Sequence, residues 1–554
     1  MIEITKESVL EVLKTHKISN HEILVKDLGL NRNISVNLYD PYPEQLDILC
    51  RLLDQVLNQG KRILVLNYPT GAGKSYLSMA LAVLLDYYQR SRITVANKHI
   101  TVTFRNNLFQ QYENSFNHLY SVKGKGNYEC LLDYSVVSNN TECVSREGFD
   151  CPIKSMCTYY LQKVNFFRSK SILTNYHWYI FNYFKNDFKA FAGTVVFDEV
   201  HAMFDVIIDV FLTAMNAFRV VAKEHYNNYI YMRYTSLEYD AADNPFRIAV
   251  ESEDYEEVNK LVKFYIESMH ANTNHNPDHI QKLRDMTADI ALLIIAKSYG
   301  INVRSFTKIN LVKRVFSVLS RLKDDNKIKI FMSATISKEF YFDNFHDEDV
   351  DKELVYYDSM DPYFKRENRL IYTFKNLPNV NFTNLKSKEF TDTLNTIALN
   401  IMNIHAKQKG FIYCNSYDQV KIVKDFINSL GDKALKNRII FNDSPKNSNS
   451  TLDAFKSDKT DKVLVACNIQ EGVSFDDDMS RFQIILKVPF LHHSQIKDYS
   501  EQYYYERAVI TLLQIYGRSI RNPKDYASTY ILDNSYKLLN KYLPQWFKDS
   551  IIER

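Results

Sequence analysis

The sequence predicts an α/β protein made of two units of parallel sheet with flanking helices. A Cys-rich insertion and a helical insertion interrupt the first unit. Three observations carry this. RILVLNYPTGAGKSYLS (Arg62–Ser78) reads as an apolar strand, a turn of small residues and a helix start. A second apolar run, Thr194–Phe197, ends in Asp198-Glu199. Short apolar runs separated by helical stretches then return between Gly410 and Phe490.

The chain has 554 residues, enough for about three or four domains. The formal net charge of +3 is close to neutral, so a nucleic-acid surface would be a local groove and not a global field. The 39 Tyr and 34 Phe supply a core and, where exposed, stacking platforms for bases. Only 13 Gly and 12 Pro argue against long flexible linkers. No signal-peptide or transmembrane pattern is visible, and the expectation is a soluble intracellular protein, cytoplasmic or nucleoid-associated. Seven Cys in a chain of this size do not read as a disulfide framework.

Residues 1–38 read as one or two short helices and a connection. YDPYPEQLDIL, from Tyr39, places Gln45 just before a helix that runs up to the next strand. The strand–turn–helix at Arg62–Ser78 has the chemistry of a phosphate-binding loop. Gly71 and Gly73, with Pro69, Thr70 and Ala72, let backbone N–H groups close around phosphate oxygens at a helix N-terminus. Lys74 reaches the outer phosphates, and Ser75 is suited to Mg²⁺. Tyr68 stands where the general pattern has its first glycine. HITVTFRNNLFQQY (His99–Tyr112) reads as strand, polar turn and helix. Thr103 at that strand's end faces the ligand crevice expected of a doubly wound sheet. ITVA (Ile93–Ala96) is a candidate short strand.

Cys130, Cys143, Cys151 and Cys157 crowd into one segment as C-x12-C-x7-C-x5-C. Four thiols there read as a metal site. With no His among them they suit an iron–sulfur cluster, and zinc stays open. SILTNYHWYI puts Asn175 at a turn, with Trp178 beyond it. In GTVVFDEVH, Asp198 would orient Mg²⁺ through water and Glu199 would polarise the attacking water. Residues from Met203 to about Lys327 are dominated by helical-period segments. IKIFMSATIS returns to a strand with Ser333-Ala334-Thr335 at its tip. GFIYCNSYDQV, KVLVACNIQEGVSF and RFQIILKVPF (Arg481–Phe490) form the second unit. In LLQIYGRSIR, Gln514, Arg518 and Arg521 fall at i, i+4 and i+7, on one helical face suited to a γ-phosphate.

The order of these motifs resembles superfamily 2 helicases of the XPD/DinG type, the iron–sulfur 5′→3′ DNA helicases. The resemblance runs from Tyr39 to about Asp533, through YPEQ, PTGAGKS, TFRNNLFQQY, KGKGNYEC with three later Cys, TNYH, DEVH, SAT, CNSY, QEGVSF, KVPF and QIYGRSIR. It implies two RecA-like lobes with ATP and Mg²⁺ between them. Lys74, Ser75, Asp198 and Glu199 come from the first lobe, and Glu471, Gln514, Arg518 and Arg521 from the second. It also implies adenine recognition by Gln45, and a single-strand path along Thr103, Arg105, Asn175 and Asn415. Trp178, Tyr159 and Tyr160 are either core or stacking residues.

The implied domain map is 1–38 N-terminal segment, 39–114, 166–202 and 328–345 first lobe, 115–165 cluster insertion, 203–327 helical arch and 346–554 second lobe. The implied cofactor of the four Cys is 4Fe–4S, and the implied partners are single-stranded DNA and duplex junctions, with a monomer and no membrane. Three departures stand out: Val200 in DEVH, Ser474 where the family has Asp, and a Cys spacing unlike either namesake. A single-strand DNA or RNA translocase that does not unwind, and a metal-stabilised nucleic-acid-binding scaffold, share enough of these motifs to stay open.

Overall fold

The computed structural model describes the chain outside residues 1, 16–21, 25–32, 36–40, 42, 69–72, 90–96, 105, 117–118, 125–126, 132–150, 185–191, 214–222, 224–225, 227–237, 271–289, 295, 299–314, 316–326, 336–353, 359–364, 378, 446–447, 468–474, 476, 492–500 and 521–524. Two compact units emerge. Residues 1–65, 75–332 and 341–355 form one, and 66–74, 333–340 and 356–554 the other.

The N-terminal segment is not purely helical. Helix α1 (Lys6–Thr15) is followed by β1 (Glu22–Leu24) and β2 (Asn33–Ser35), a two-stranded antiparallel pair. Runs of three residues are too short to show a period in sequence, which is why they read as a connection. Helix α2 (Pro43–Leu57) opens on proline, whose missing N–H costs nothing in a first turn. Its Leu46, Leu49, Leu53 and Val56 recur at helical spacing and are buried.

The first sheet has the order β5-β6-β4-β7-β8-β3-β9. Its strands are β3 (Ile63–Asn67), β4 (Asn97–Thr103), β5 (Tyr120–Val122), β6 (Ser171–Asn175), β7 (Ala192–Asp198), β8 (Lys327–Ser333) and β9 (Leu354–Asp358). The pairs β5–β6, β6–β4, β4–β7 and β7–β8 are all parallel. Helices on both faces bury such strands from two sides, so they read as unbroken apolar runs. Every residue of β3 and β8 is buried. Helix α3 (Lys74–Gln89) returns from β3 with Leu77, Ala80, Leu81 and Leu84 buried. Helix α4 (Asn106–Ser115) follows β4, α5 (Thr158–Arg168) precedes β6, and α6 (Tyr176–Phe184) and α7 (His201–Ile208) follow β6 and β7.

Gly193 in β7 sits opposite Lys98 of β4 at φ +132°, and a Cβ there would lie 2.0 Å from the Lys98 carbonyl oxygen. Only glycine allows that approach. Within 203–327 the described helices include α8 (Pro245–Glu251), capped by Asn244 Oδ1 on two amides, and α9 (Tyr255–His270). No helix among the described residues is long and apolar enough to cross a membrane.

The second sheet, β12-β13-β11-β14-β15-β10-β16, is parallel at every neighbour. Its strands are β10 (Ile371–Thr373), β11 (Gly410–Tyr413), β12 (Ile439–Asn442), β13 (Val463–Ala466), β14 (Phe482–Ile485), β15 (Ser528–Ile531) and β16 (Ile551–Glu553). Helices α10 (Lys388–Ile404) and α11 (Tyr417–Ser429) pack in one apolar cluster, and α12 (Glu501–Tyr516) in another. RFQIILKVPF yields a shorter strand than its apolar run suggests. The buried Asp533 carboxylate takes the Val488 amide at 2.8 Å, together with those of Val380 and Ser535, and draws the chain out of the ladder.

Candidate active site

The turn after β3 enters helix α3 through Gly73, at φ +80°. Pro69–Ala72 lie outside the described residues. Lys74 is buried at the first helical position, and Ser75 is half-buried. Tyr68, in place of the pattern's glycine, is 1% exposed and its amide donates to the Ser333 carbonyl at 2.9 Å. It is not among the described residues of positive φ, so nothing in its backbone calls for glycine. The Ser333 hydroxyl in turn accepts from the Thr335 amide at 3.2 Å, closing the tip after β8.

Strand β7 delivers the acids. Asp198 is 3% exposed, and both its oxygens are engaged: Oδ1 accepts from the Glu199 amide at 2.9 Å, and Oδ2 from the Tyr112 hydroxyl at 2.8 Å. Its carbonyl accepts from the Tyr176 hydroxyl at 2.8 Å. Burial first, and then the Asp198 carboxylate, pushes both phenols well above the usual tyrosine range. They therefore stay neutral donors at any working pH.

Glu199 sits at φ +52°, a region L-residues rarely occupy. Such a backbone costs about 1 kcal/mol or more and persists where its surroundings impose it. Here the Val200 amide donates to the Met332 carbonyl at 2.9 Å, fixing the turn to β8. The Glu199 carboxylate is 19% exposed and lies 3.4 Å from Nδ1 of the buried His201. One acid is enclosed and the other meets solvent.

Thr103 and Asn175 are register partners at the ends of β4 and β6. Thr103 is fully buried, with its hydroxyl unpaired. The Asn175 side-chain oxygen accepts from the Trp178 amide at 2.8 Å, capping α6. Arg105 lies outside the described residues. Gln45 is inside the first turn of α2, not before it, and is 2% exposed. Trp178 is a core residue: it is 4% exposed, packs on Phe166 at 4.6 Å and donates from its ring nitrogen to the Tyr159 hydroxyl at 3.4 Å.

In the second unit the face expected for Gln514, Arg518 and Arg521 is not a single helical face. Helix α12 ends at Tyr516, and Arg518 lies beyond it in a turn closed by its amide on the Ile515 carbonyl at 3.0 Å. The buried Arg518 folds back, its Nε donating to the Gln514 carbonyl at 3.0 Å. That is a favourable place for a cation, at a helix C-terminus. Arg521, Glu471 and Ser474 lie outside the described residues. Asn415 joins the ends of β11 and β14: its amide donates to Gln419 Oε1 at 2.8 Å, and its Nδ2 to the Val488 carbonyl at 3.0 Å.

Two cofactor expectations can be set against these side chains. Ser75 and Asp198 offer hard oxygens, the donor type magnesium takes alongside phosphate and water, and the Tyr112 hydroxyl fixes the Asp198 carboxylate. They fit. The Cys set is different. Cys130, Cys151 and Cys157 are free and half-buried, Cys143 lies outside the described residues, and among the described residues no three Cys, His, Asp or Glu come together as a metal site. The three described thiols do not by themselves make a cluster cradle. Sequence reasoning missed Tyr112 and Tyr176. Both fall inside quoted motifs, TFRNNLFQQY and TNYH, but their roles are not legible there, because they depend on contacts to a residue 86 and 22 positions away, respectively.

Residues 398–550 match the family described as Helicase C-terminal domain, and residues 38–236 match that described as Type III restriction enzyme, res subunit. The two matches fall on the two sheets in the order that the motifs require. Together the two matches and the motif order support a superfamily 2 helicase. Its motif order is that of the XPD/DinG type, and ATP-dependent helicase chemistry is the family's activity. No curated protein matches the sequence. Among solved structures, an XPD titled as apo is 14% identical with a TM-score of 0.49, over 91% of this chain and 100% of that one. S. tokodaii Xpd4 is also 14% identical with a TM-score of 0.49, over 93% of this chain and 100% of that one. S. cerevisiae Dbp5 bound to RNA and ADP BeF3 is 11% identical with a TM-score of 0.41, over 93% of each chain. The helicase assignment rests on the family matches and the motifs and does not lean on these structures.

Proposed function

We propose that this helicase is an ATP-driven DNA motor that travels 5′→3′ on single-stranded DNA and separates duplex ahead of it. The observation that carries the reading is the pair at the end of β7, an enclosed Asp198 beside a solvent-reaching Glu199. ATP supplies the phosphoryl group, and magnesium when bound neutralises the charge that develops as it transfers. Ser75 and Asp198 would hold the cation, and Lys74 the outer phosphates. Glu199 orients a water and accepts its proton, which an acid in contact with solvent can pass on. Gln45 recognises the base, and Glu471, Gln514, Arg518 and Arg521 serve the nucleotide from the second lobe. For Arg518 this requires release of the Gln514 carbonyl.

Thr103, Arg105, Asn175 and Asn415 are assigned to the strand. Thr103 is enclosed, so it reaches a strand only if the turn between β4 and α4 opens. The grip is sequence-tolerant and salt-sensitive. The domain boundaries given above are part of this proposal, including an iron–sulfur insertion over 115–165, supported by the crowding of four thiols in sequence. Iron and sulfide analysis after anaerobic purification tests it, and colourless, zinc-bearing protein ends it.

Unwinding assays on 5′- and 3′-tailed DNA and RNA duplexes, with ATP turnover measured with and without single strands, test the main reading. Unwinding of 5′-tailed DNA alone, lost in Lys74→Ala and Glu199→Gln, is expected. Turnover without strand separation would establish a translocase, and no turnover a scaffold.

A further inference from the structure

Tyr112 closes the TFRNNLFQQY stretch, but the resemblance gives it no role. It lies in α4, and its ring is 2% exposed and packed on Phe116 at 5.7 Å between centroids. Phe116 in turn contacts Tyr76, the neighbour of Ser75, at 5.0 Å. The hydroxyl donates to Asp198 Oδ2 at 2.8 Å. One neutral oxygen thus stands behind a carboxylate assigned to the cation, at the end of β7.

We infer that Tyr112 is a positioning residue for magnesium, holding the Asp198 carboxylate in a relay from α4 to the end of β7 that orients it toward the cation. The inference rests on the function proposed above. Its chemistry follows from what a phenol can do. A tyrosine hydroxyl donates one hydrogen bond and can accept others. Its hydrogen is committed to Asp198. That donation to Oδ2 stabilises the ionised carboxylate and fixes its rotation. Partners behind a metal's ligands set affinity in this way, and their loss costs about 10–100-fold.

The aromatic packing gives the relay its rigidity. Tyr112, Phe116 and Tyr76 form a chain of rings from α4 to the start of α3, so the phenol is held by contacts on its own helix and beyond. Any movement of α4 relative to α3 would move the relay with it.

The test uses the full chain and Mn²⁺, whose binding is followed by electron paramagnetic resonance in the presence of a non-hydrolysable ATP analogue. Tyr112→Phe is expected to weaken Mn²⁺ binding about 10-fold or more, while binding of the analogue in EDTA stays as in the wild type. Unchanged Mn²⁺ affinity in Tyr112→Phe, with Asp198→Asn impaired, overturns the relay and leaves the proposed site standing. Wild-type protein that binds no Mn²⁺ with the analogue overturns the site itself. A fluorotyrosine placed at position 112 keeps the hydroxyl and provides a readout in case the Phe variant folds poorly. Its fluorine resonance is expected to shift when Mg²⁺ joins the nucleotide complex, and a resonance that does not move overturns the inference.

Discussion

The carboxylate of Glu199 lies 3.4 Å from Nδ1 of His201, across the single residue Val200. The contact exists because Glu199 takes a left-handed backbone and α7 starts at once, at His201. A fully buried ring therefore braces a carboxylate that still meets solvent. Bracing of this kind limits the positions open to a base, which matters when the water it must contact has to be in line with a phosphoryl group.

Replacing Glu199 with Gln keeps the shape and removes the proton acceptor. ATP turnover is expected to fall about 10²–10⁴-fold, with nucleotide binding retained. Steady-state turnover beside fluorescent-nucleotide binding checks both halves of the expectation.

Gly193→Ala would put a methyl group 2.0 Å from the Lys98 carbonyl oxygen, backbone against backbone, in the strand that carries Asp198. A loss of about 3 kcal/mol or more is expected, since neither strand can yield. Gly60→Ala is the control. It also has positive φ, at +71°, but nothing within 4 Å. It should lose only about 1–2 kcal/mol, the backbone cost alone. Denaturant titrations of the two variants separate crowding from strain.

Asp533→Ala strips a buried carboxylate from three amides, those of Val380, Val488 and Ser535. Hydrogen bonds to charged groups contribute about 1.5–3 kcal/mol each and do not add fully. A loss of about 3–5 kcal/mol is expected, with Asp533→Asn milder because one oxygen remains. Urea unfolding monitored by circular dichroism would show it, and a change below 1 kcal/mol would contradict this account.

His405 carries a pH dependence whose sign is fixed. Burial, opposed in part by a hydrogen bond to Gln408, holds its pKa below the usual histidine value of 6.5. The unfolded chain then binds the proton more tightly than the folded one. The His405 contribution is complete above about pH 6.5 and is lost as pH falls from there toward the folded-state value. The stability difference between wild type and His405→Gln should therefore shrink on acidification through that window. A difference that is flat or grows from pH 7 to 5 would reverse the assignment.

Much of this was legible in sequence, for reasons that differ by element. The strand–turn–helix at Lys74 and the acids after Phe197 announce themselves because phosphate chemistry dictates both residue type and position. Parallel strands buried on two faces leave apolar runs such as those of β3 and β8. Arg518 was misplaced because periodicity extends a helix past its true end, and the chain stops being helical just before Gly517. The apolar run at 481–490 overstated β14 because the carboxylate that interrupts it comes from Asp533, far along the chain. Tyr112 was invisible for the same reason, since a phenol in an amphipathic helix looks like any core ring until its partner is placed.

Five neighbouring strands of the first sheet, β5, β6, β4, β7 and β8, all run the same way. Each connection that follows one of them thus departs from a single rim, where Thr103, Asn175, Asp198 and Ser333 also stand. The Cys-bearing stretch leaves that rim after Val122 and the long helical stretch after Asp198. The Cys-bearing stretch is rooted on β5, at the edge of the sheet, whereas the stretch after β7 is rooted directly at the acids. A displacement of the chain after β7 therefore starts at Asp198 itself, while one of the Cys-bearing stretch must cross β6 and β4 to reach it.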